Sequence, residues 1–227
     1  CIIPVYNEAS RVGAVLDVLV GHDLIDEVIV VNDGSTDNSE EILANRQGIK
    51  LISYLQNKGK TGAMKLGFEA ARNEWVMTID SDLIGLDKND ISALILPIES
   101  GKADMTMTLR KNSLPIFRMF GLDFVSGERV FKKAIMGDLN QLEKLPGFGL
   151  ESFLNQILIR DNLRLVVVDW PNVITPRKSV KFGFWKGVKA DLKMIKEIIS
   201  VLGFFGMFRQ FLRMLKVKNS TRAQGSL

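Results

Sequence analysis

Residues 2–82 alternate without a break between short apolar runs rich in Val and Ile and segments whose apolar residues recur at helical spacing. Residues 2–8 read as a strand running into the polar turn Asn7-Glu8, and 11–19 follow with Val12, Val15, Leu16 and Leu19 on one helical face. Residues 27–31 read as a second buried strand, closed by the turn-rich run 32–39. A helix through 41–44, a strand over 49–54 and a helix over 61–72 then lead to a further strand that starts at Trp75. Such alternation predicts an α/β fold, a mostly parallel sheet covered by helices. Ligands of these folds bind outside the carboxyl ends of the strands, and Asp33, Asp80 and Asp82 all sit at such ends.

The strand from Trp75 ends in Asp80-Ser81-Asp82. If it stays extended, both carboxylates point to one side while Ser81 faces away. Two anions so placed suit a hard cation such as Mg²⁺, shared with the phosphate oxygens of a substrate. The same triplet also reads as turn and helix-cap chemistry. Asp33 arriving at the same crevice from another strand is what favours a site.

Composition narrows the chemistry. With 46% hydrophobic and 25% charged residues the chain has an ordinary globular balance, which excludes a disordered or collagen-like protein. Cys1 is the single cysteine, so there is neither a disulfide framework nor a cysteine-cluster metal site. His22, the single histidine, lies in a polar Gly-His-Asp turn and is expected at the surface, which leaves histidine-based catalysis without a candidate. Gly59-Lys60-Thr61 looks like the end of a P-loop, but Tyr54 stands where that motif needs glycine. A dinucleotide Gly-x-Gly-x-x-Gly fingerprint is also missing after the first strand.

Four stretches in order, Pro4-Val5-Tyr6-Asn7-Glu8, Val31-Asn32-Asp33-Gly34-Ser35-Thr36-Asp37, Asn57-Lys58-Gly59-Lys60 and Asp80-Ser81-Asp82, resemble the family 2 glycosyltransferases of GT-A fold. Ser126-Gly127-Glu128-Arg129-Val130-Phe131, Gly147-Phe148-Gly149-Leu150-Glu151 and Arg177 extend the resemblance. It implies a Rossmann-like GT-A domain over 1–183, with a nucleotide-sugar half over 1–110 and an acceptor half over 111–183. It also implies an inverting, divalent-metal-dependent transferase that takes a sugar from a nucleoside diphosphate sugar (UDP or GDP). The metal, Mg²⁺ or Mn²⁺, would sit at Asp80 and Asp82. The base and ribose would lie near Pro4, Tyr6, Glu8, Val31 and Asp33, and Lys60 and Ser81 complete that donor set. In similar enzymes Asp80 and Asp82 are followed by Gln and a His-Pro-Pro run; here the stretch is Leu83-Ile84-Gly85-Leu86-Asp87, a departure from the dolichol-phosphate branch. Where the family often has Asp, Asn32 stands, read as a turn residue bonding its own backbone. A non-catalytic nucleotide-binding or scaffold module of the same fold is the alternative.

The second half carries further candidates. A strand over 104–109 ends at Arg110, a donor-phosphate contact by the resemblance or a solvated arginine by itself. Residues 124–131 read as a strand bordering the acceptor pocket, and a buried Arg129 within it requires either Asp123 or Glu128 as an ion-pair partner or a ligand phosphate. Glu151 begins a helix after a Gly-rich loop; a favourable first-turn charge is one reading, and the resemblance makes it the general base that a hydroxyl acceptor requires. A lipid phosphate acceptor is already ionised and needs none. Arg177 and Lys181, after Thr175-Pro176, are either a basic loop closing over a diphosphate or a solvated charge run.

The net charge of +4 is unevenly spread. From Arg177 onward Lys and Arg recur while only Asp191 and Glu197 oppose them, so the C-terminal quarter calls for an anionic partner. Residues 184–227 read as a basic amphipathic helical extension with a loose tail, suited to an anionic membrane surface or to packing on the core. Its aromatics cluster with aliphatics, which disfavours nucleic acid. The expected setting is cytoplasmic, peripheral on the inner face of a membrane, with a lipid, polyprenyl phosphate or glycan acceptor.

Overall fold

Each apolar run becomes a strand with two covered faces, and the side chains divide between them by strict alternation. In β1 (Ile2–Val5) Ile2 enters one core while Ile3 and Val5 enter the other. In β2 (Ile29–Asp33) Ile29 and Val31 share the first core and Val30 the second. The computed structural model describes residues 1–145, 149–176, 206 and 208–218.

The remaining strands are β3 (Lys50–Tyr54), β4 (Trp75–Thr78), β5 (Met105–Arg110), β6 (Arg129–Lys132) and β7 (Leu165–Trp170). They form one seven-stranded sheet in the order β3-β2-β1-β4-β6-β5-β7. Only β6 runs antiparallel, opposing Trp75 with Lys132 on one side and Met105 with Phe131 on the other. The chain lays β2 and β3 to one side of β1 and then returns to place β4 on the other. That reversal opens a crevice at the carboxyl ends of β1, β2 and β4.

The helices are α1 (Val12–Leu19), α2 (Ser39–Ala44), α3 (Gly59–Ala70), α4 (Lys88–Glu99), α5 (Pro115–Phe120) and α6 (Gly149–Arg160), and residues 208–218 form a further helix, α7. Val12, Val15, Leu16 and Leu19 of α1 pack with Ile91, Leu94 and Ile95 of α4 on one face. Ala63, Met64 and Phe68 of α3, Leu150, Leu154 and Leu158 of α6, and Phe211, Met214 and Val217 of α7 cover the other. A reciprocal capping box between Asp87 and Asp90 starts α4. Among the described residues no helix is long and apolar enough to cross a membrane.

Several expectations are corrected. The run from Trp75 leaves the sheet after Thr78, so Asp80, Ser81 and Asp82 occupy a turn and not an extended strand. The segment 124–128 is not strand either: the Arg129 guanidinium folds back and donates to the carbonyls of Phe124 (3.0 Å) and Ser126 (2.9 Å). His22 is buried, its Nδ1 accepting from the Leu24 amide and its Nε2 lying 3.0 Å from the Lys88 carbonyl, so it ties α4 to the α1–β2 connection. Lys218 is likewise buried and donates to the carbonyls of Phe120 and Gly121 at the end of α5. Asn32 does act within its turn, accepting from the Ser35 amide.

Candidate functional site

The crevice is a cavity of about 690 Å³. Pro4, Val5, Tyr6 and Glu8 reach it from the end of β1, Asp33 from the last position of β2, and Asp80, Ser81 and Asp82 from the turn after β4. Gly59 and Lys60 line it from the first turn of α3, which places the positive end of a helix dipole there, and Arg110 comes from the end of β5. Asn112, Ser113, Leu114, Pro115 and Phe117 form a further wall.

Lys60 is the centre of the local charge. Its ammonium donates to Asp80 Oδ1 at 2.7 Å and to Glu151 Oε1 at 2.9 Å, bridging two carboxylates from different halves of the chain. Burial alone would raise the Asp80 carboxyl, but Lys60 and the Arg110 guanidinium outweigh it and hold the group below the usual carboxylate range. Gly127 makes the bridge possible: a Cβ there would lie 2.8 Å from Lys60 Nζ and 3.0 Å from both Asp80 oxygens.

Arg110 sits in a matching acidic nest. It donates to Glu128 Oε1 at 2.8 Å and lies 3.8 Å from both Asp80 and Asp123. Burial pushes its guanidinium down, yet the surrounding carboxylates more than reverse this and keep it charged. Beneath it Glu128 is fully buried and accepts from Thr108 and Ser126; burial raises its carboxyl against the pull of Arg110, and Asp80 adds to the rise. At the far wall Asp33 Oδ1 accepts from the Tyr54 hydroxyl and the Lys58 amide, each at 2.7 Å. Glu8 pairs with Arg11 at 2.9 Å, and its amide donates to the Ser39 hydroxyl.

The residues singled out from sequence therefore divide. Pro4, Tyr6, Glu8, Asp33, Lys60, Asp80, Ser81, Asp82 and Arg110 line one cavity. Val31 does not, because β2 is covered on both faces and its side chain belongs to the core beneath α3. Arg129 does not either. Its guanidinium is fully buried and bonds Asn155 Oδ1 at 2.7 Å besides two carbonyls, so it braces the 124–128 segment against α6 instead of meeting a ligand. Burial pushes that guanidinium down to about 10, so it stays charged at neutral pH. Glu151 lies in the first turn of α6 behind Lys60, 2% exposed, and its Oε2 is buried without a hydrogen-bond partner among the described residues. Arg177 and Lys181 lie outside the described residues.

Ser113 and Glu128 escaped sequence reasoning as site residues. Ser113 donates to Asp123 at 2.6 Å and receives the Arg110 amide, a role no periodicity announces. Glu128 stands within the 126–131 motif, where the sequence suggests it only as an ion-pair partner for Arg129; it pairs with Arg110 instead. The departing Leu83-Ile84-Gly85 stretch has a structural use: Ile84 pairs with Ile174, which holds Thr175 and Pro176 over the cavity. Gly85, at φ +81°, is needed there because a Cβ would meet the Asn172 carbonyl at 2.6 Å.

For a metal the donor set fits a shared site. Asp80 and Asp82 offer hard oxygens on one turn, and among the described residues no cluster of three or more His, Cys, Asp or Glu side chains is arranged to hold an ion by itself. That chemistry suits a Mg²⁺-like ion completed by substrate phosphates.

The family described as Glycosyl transferase family 2 matches residues 1–115. Among relatives, the chain is 31% identical over 230 aligned residues to a dodecaprenyl-phosphate galacturonate synthase of Rhizobium johnstonii, covering 89% of this chain and 66% of the relative. It is 35% identical over 120 residues to an undecaprenyl-phosphate 4-deoxy-4-formamido-L-arabinose transferase of Aeromonas hydrophila, covering 49% and 36%. The chain thus spans two thirds or less of the length of these relatives. Among solved structures it is similar to glucosyl-3-phosphoglycerate synthase from Mycobacterium tuberculosis in complex with Mn²⁺, UDP-glucose and phosphoglyceric acid, with a TM-score of 0.61, 23% identity and coverage of 77% and 70%. That likeness shows the fold.

Proposed function

The chain belongs to the family 2 glycosyltransferases, and from that premise we propose that it moves a sugar from a nucleoside diphosphate sugar, UDP- or GDP-linked, to a polyprenyl phosphate held in a membrane. The observation that carries the donor half is the convergence of Asp33, Lys60, Asp80, Asp82 and Arg110 on one cavity at the strand ends. The acceptor half draws support from relatives whose names specify dodecaprenyl or undecaprenyl phosphate.

In this reading Pro4, Tyr6, Glu8 and Asp33 hold the base and ribose. Asp33 already has one oxygen fixed by Tyr54 and Lys58, which orients the carboxylate. Lys60 and Arg110 face the diphosphate, with Ser81 beside them, and Arg177 and Lys181 add two further cations to it. Asp80 and Asp82 would hold Mg²⁺ or Mn²⁺, which neutralises the leaving diphosphate. An acceptor phosphate oxygen attacks the anomeric carbon from the side opposite the diphosphate. The new C–O bond forms as the old one breaks, its electron pair leaves on the diphosphate, and the sugar is inverted. A phosphate acceptor is already ionised, so no proton need be removed. The reaction is set at the inner face of a membrane, where the protein works peripherally.

A hydroxyl acceptor is the second reading. It is favoured by one observation, the buried Oε2 of Glu151, which has no hydrogen-bond partner among the described residues and so has an acceptor lone pair to spare for a proton.

The test is transfer from labelled UDP- and GDP-sugars, by wild type and Glu151→Gln, to a polyprenyl phosphate in detergent and, separately, to a hydroxyl acceptor such as an alkyl glycoside. The first reading expects lipid-extractable product and a variant that loses no more than about tenfold, the order of one charged hydrogen bond to Lys60, and not the loss of about 10²–10⁴ typical of general-base catalysis. Transfer by wild type to the glycoside and not to the lipid phosphate, reduced by that larger factor in Glu151→Gln, supports the hydroxyl acceptor. Nucleotide binding without transfer to either acceptor returns the scaffold alternative.

A further inference from the structure

We propose that α5 and α7 together form a docking face for an anionic lipid surface at the mouth of the cavity. The proposal rests on the membrane-borne acceptor just described and names the surface that would present it.

None of the residues of α5, Pro-Ile-Phe-Arg-Met-Phe, is buried, although most are large and apolar. Ile116 is 52%, Met119 72% and Phe120 43% exposed, and Leu114 before the helix is 44% exposed. On α7, Phe208 and Leu212 are exposed while Phe211, Met214 and Val217 point into the core. These six account for most of the large exposed apolar side chains among the described residues, so the patch is a concentration and not ordinary surface scatter.

The two helices are joined into one surface. Phe211 stacks edge-on against Phe120 at 5.5 Å and lies 6.2 Å from Phe117, and Lys218 of α7 caps the end of α5 through two carbonyls. The shared face is also positive. Arg209, Arg213 and Lys216 are exposed along the same side of α7 as Phe208 and Leu212, and neither helix carries an acidic residue. Arg118 of α5 is exposed as well; the carboxylate facing it is Asp169 at 3.4 Å. Apolar side chains rimmed by arginine and lysine stems match the boundary between lipid tails and anionic headgroups.

Position supplies the functional link. Leu114, Pro115 and Phe117, from the same segment, line the cavity that holds Lys60 and Arg110. A lipid phosphate presented at α5 would therefore enter the cavity past Leu114, Pro115 and Phe117.

The experiment is co-sedimentation of the full chain with vesicles of equimolar phosphatidylcholine and phosphatidylglycerol, and with phosphatidylcholine alone. Wild type should bind the anionic vesicles in preference, more weakly at high salt. Ile116→Glu with Met119→Glu should weaken that binding by about tenfold or more, as should Arg209→Glu with Arg213→Glu. Nucleotide binding by both variants should match wild type, which shows that they fold. Failure of the wild type to bind, or variants that bind equally well, overturns the proposal. A change in self-association measured by light scattering, with vesicle binding unaltered, also overturns it and assigns the face to a second copy of the chain. If wild type docks as described yet transfers to no lipid phosphate, the acceptor reading falls and the docking face stands.

Discussion

The carboxylates of Asp80 and Glu151 share one ammonium, and Gly127 is the residue that leaves room for it. A methyl at position 127 is relieved most easily by moving the flexible end of Lys60. That movement separates the ammonium from two poorly solvated anions and disturbs the wall proposed to meet the diphosphate. Gly127→Ala should therefore lower the melting temperature, since the buried Glu151 carboxylate loses its cation, and weaken binding of the nucleotide with Mn²⁺ by about tenfold, the order of one charged hydrogen bond. Unchanged affinity in calorimetry would show that the Lys60 bridge is not part of the site. At this scale Asp33, Asp80 and Asp82 were legible because each follows an apolar run whose end has to face the crevice. Val31 and Arg129 do not line the cavity because both point into packed interior, a property set by contacts with distant segments.

Elements were read more accurately in kind than in extent. The helix expected from Thr61 starts at Gly59, and this shift puts Lys60 in a first turn beside the cavity. Neither its capping nor its approach to Asp80 is a local property of the sequence. Likewise the strand from Trp75 stops at Thr78, whose hydroxyl donates to the Gly127 carbonyl at 2.6 Å, a bond between segments far apart in the chain. At the opposite end of the sheet β5 and β7 are clamped where they begin. Arg164 donates through Nε and Nη2 to the two oxygens of Asp104, at 3.0 and 2.7 Å. Those bonds hold the Asp104 carboxyl below its usual range. The clamp's contribution is present above the unfolded value of about 3.9 and is lost as pH falls through the lower folded value. Both side chains are more than a third exposed, so the effect is modest. Urea midpoints should show Asp104→Asn less stable than wild type near neutral pH, with the gap closing below about pH 4. A gap that is constant with pH would mean the ion pair contributes nothing through its charge.

For the molecule as a whole, the βα alternation anticipated a mostly parallel sheet, and the sheet order explains why the site lies where it does. Because β4 returns beside β1 on the side opposite β2, three carboxyl ends meet at one reversal. The antiparallel β6 and the pairing of Ile84 with Ile174 were not legible, since both depend on contacts between distant segments. So did the joining of α5 to α7, which turns two unremarkable apolar stretches into one face. This reversal is proposed to bind a nucleoside diphosphate with a divalent cation. Calorimetric titration of UDP and of GDP, each with and without Mn²⁺, into wild type and Asp82→Ala tests it most directly. The expected result is binding of one nucleotide that requires the cation and is lost in the variant. Binding indifferent to the cation and to Asp82, or no binding of either nucleotide, would contradict it.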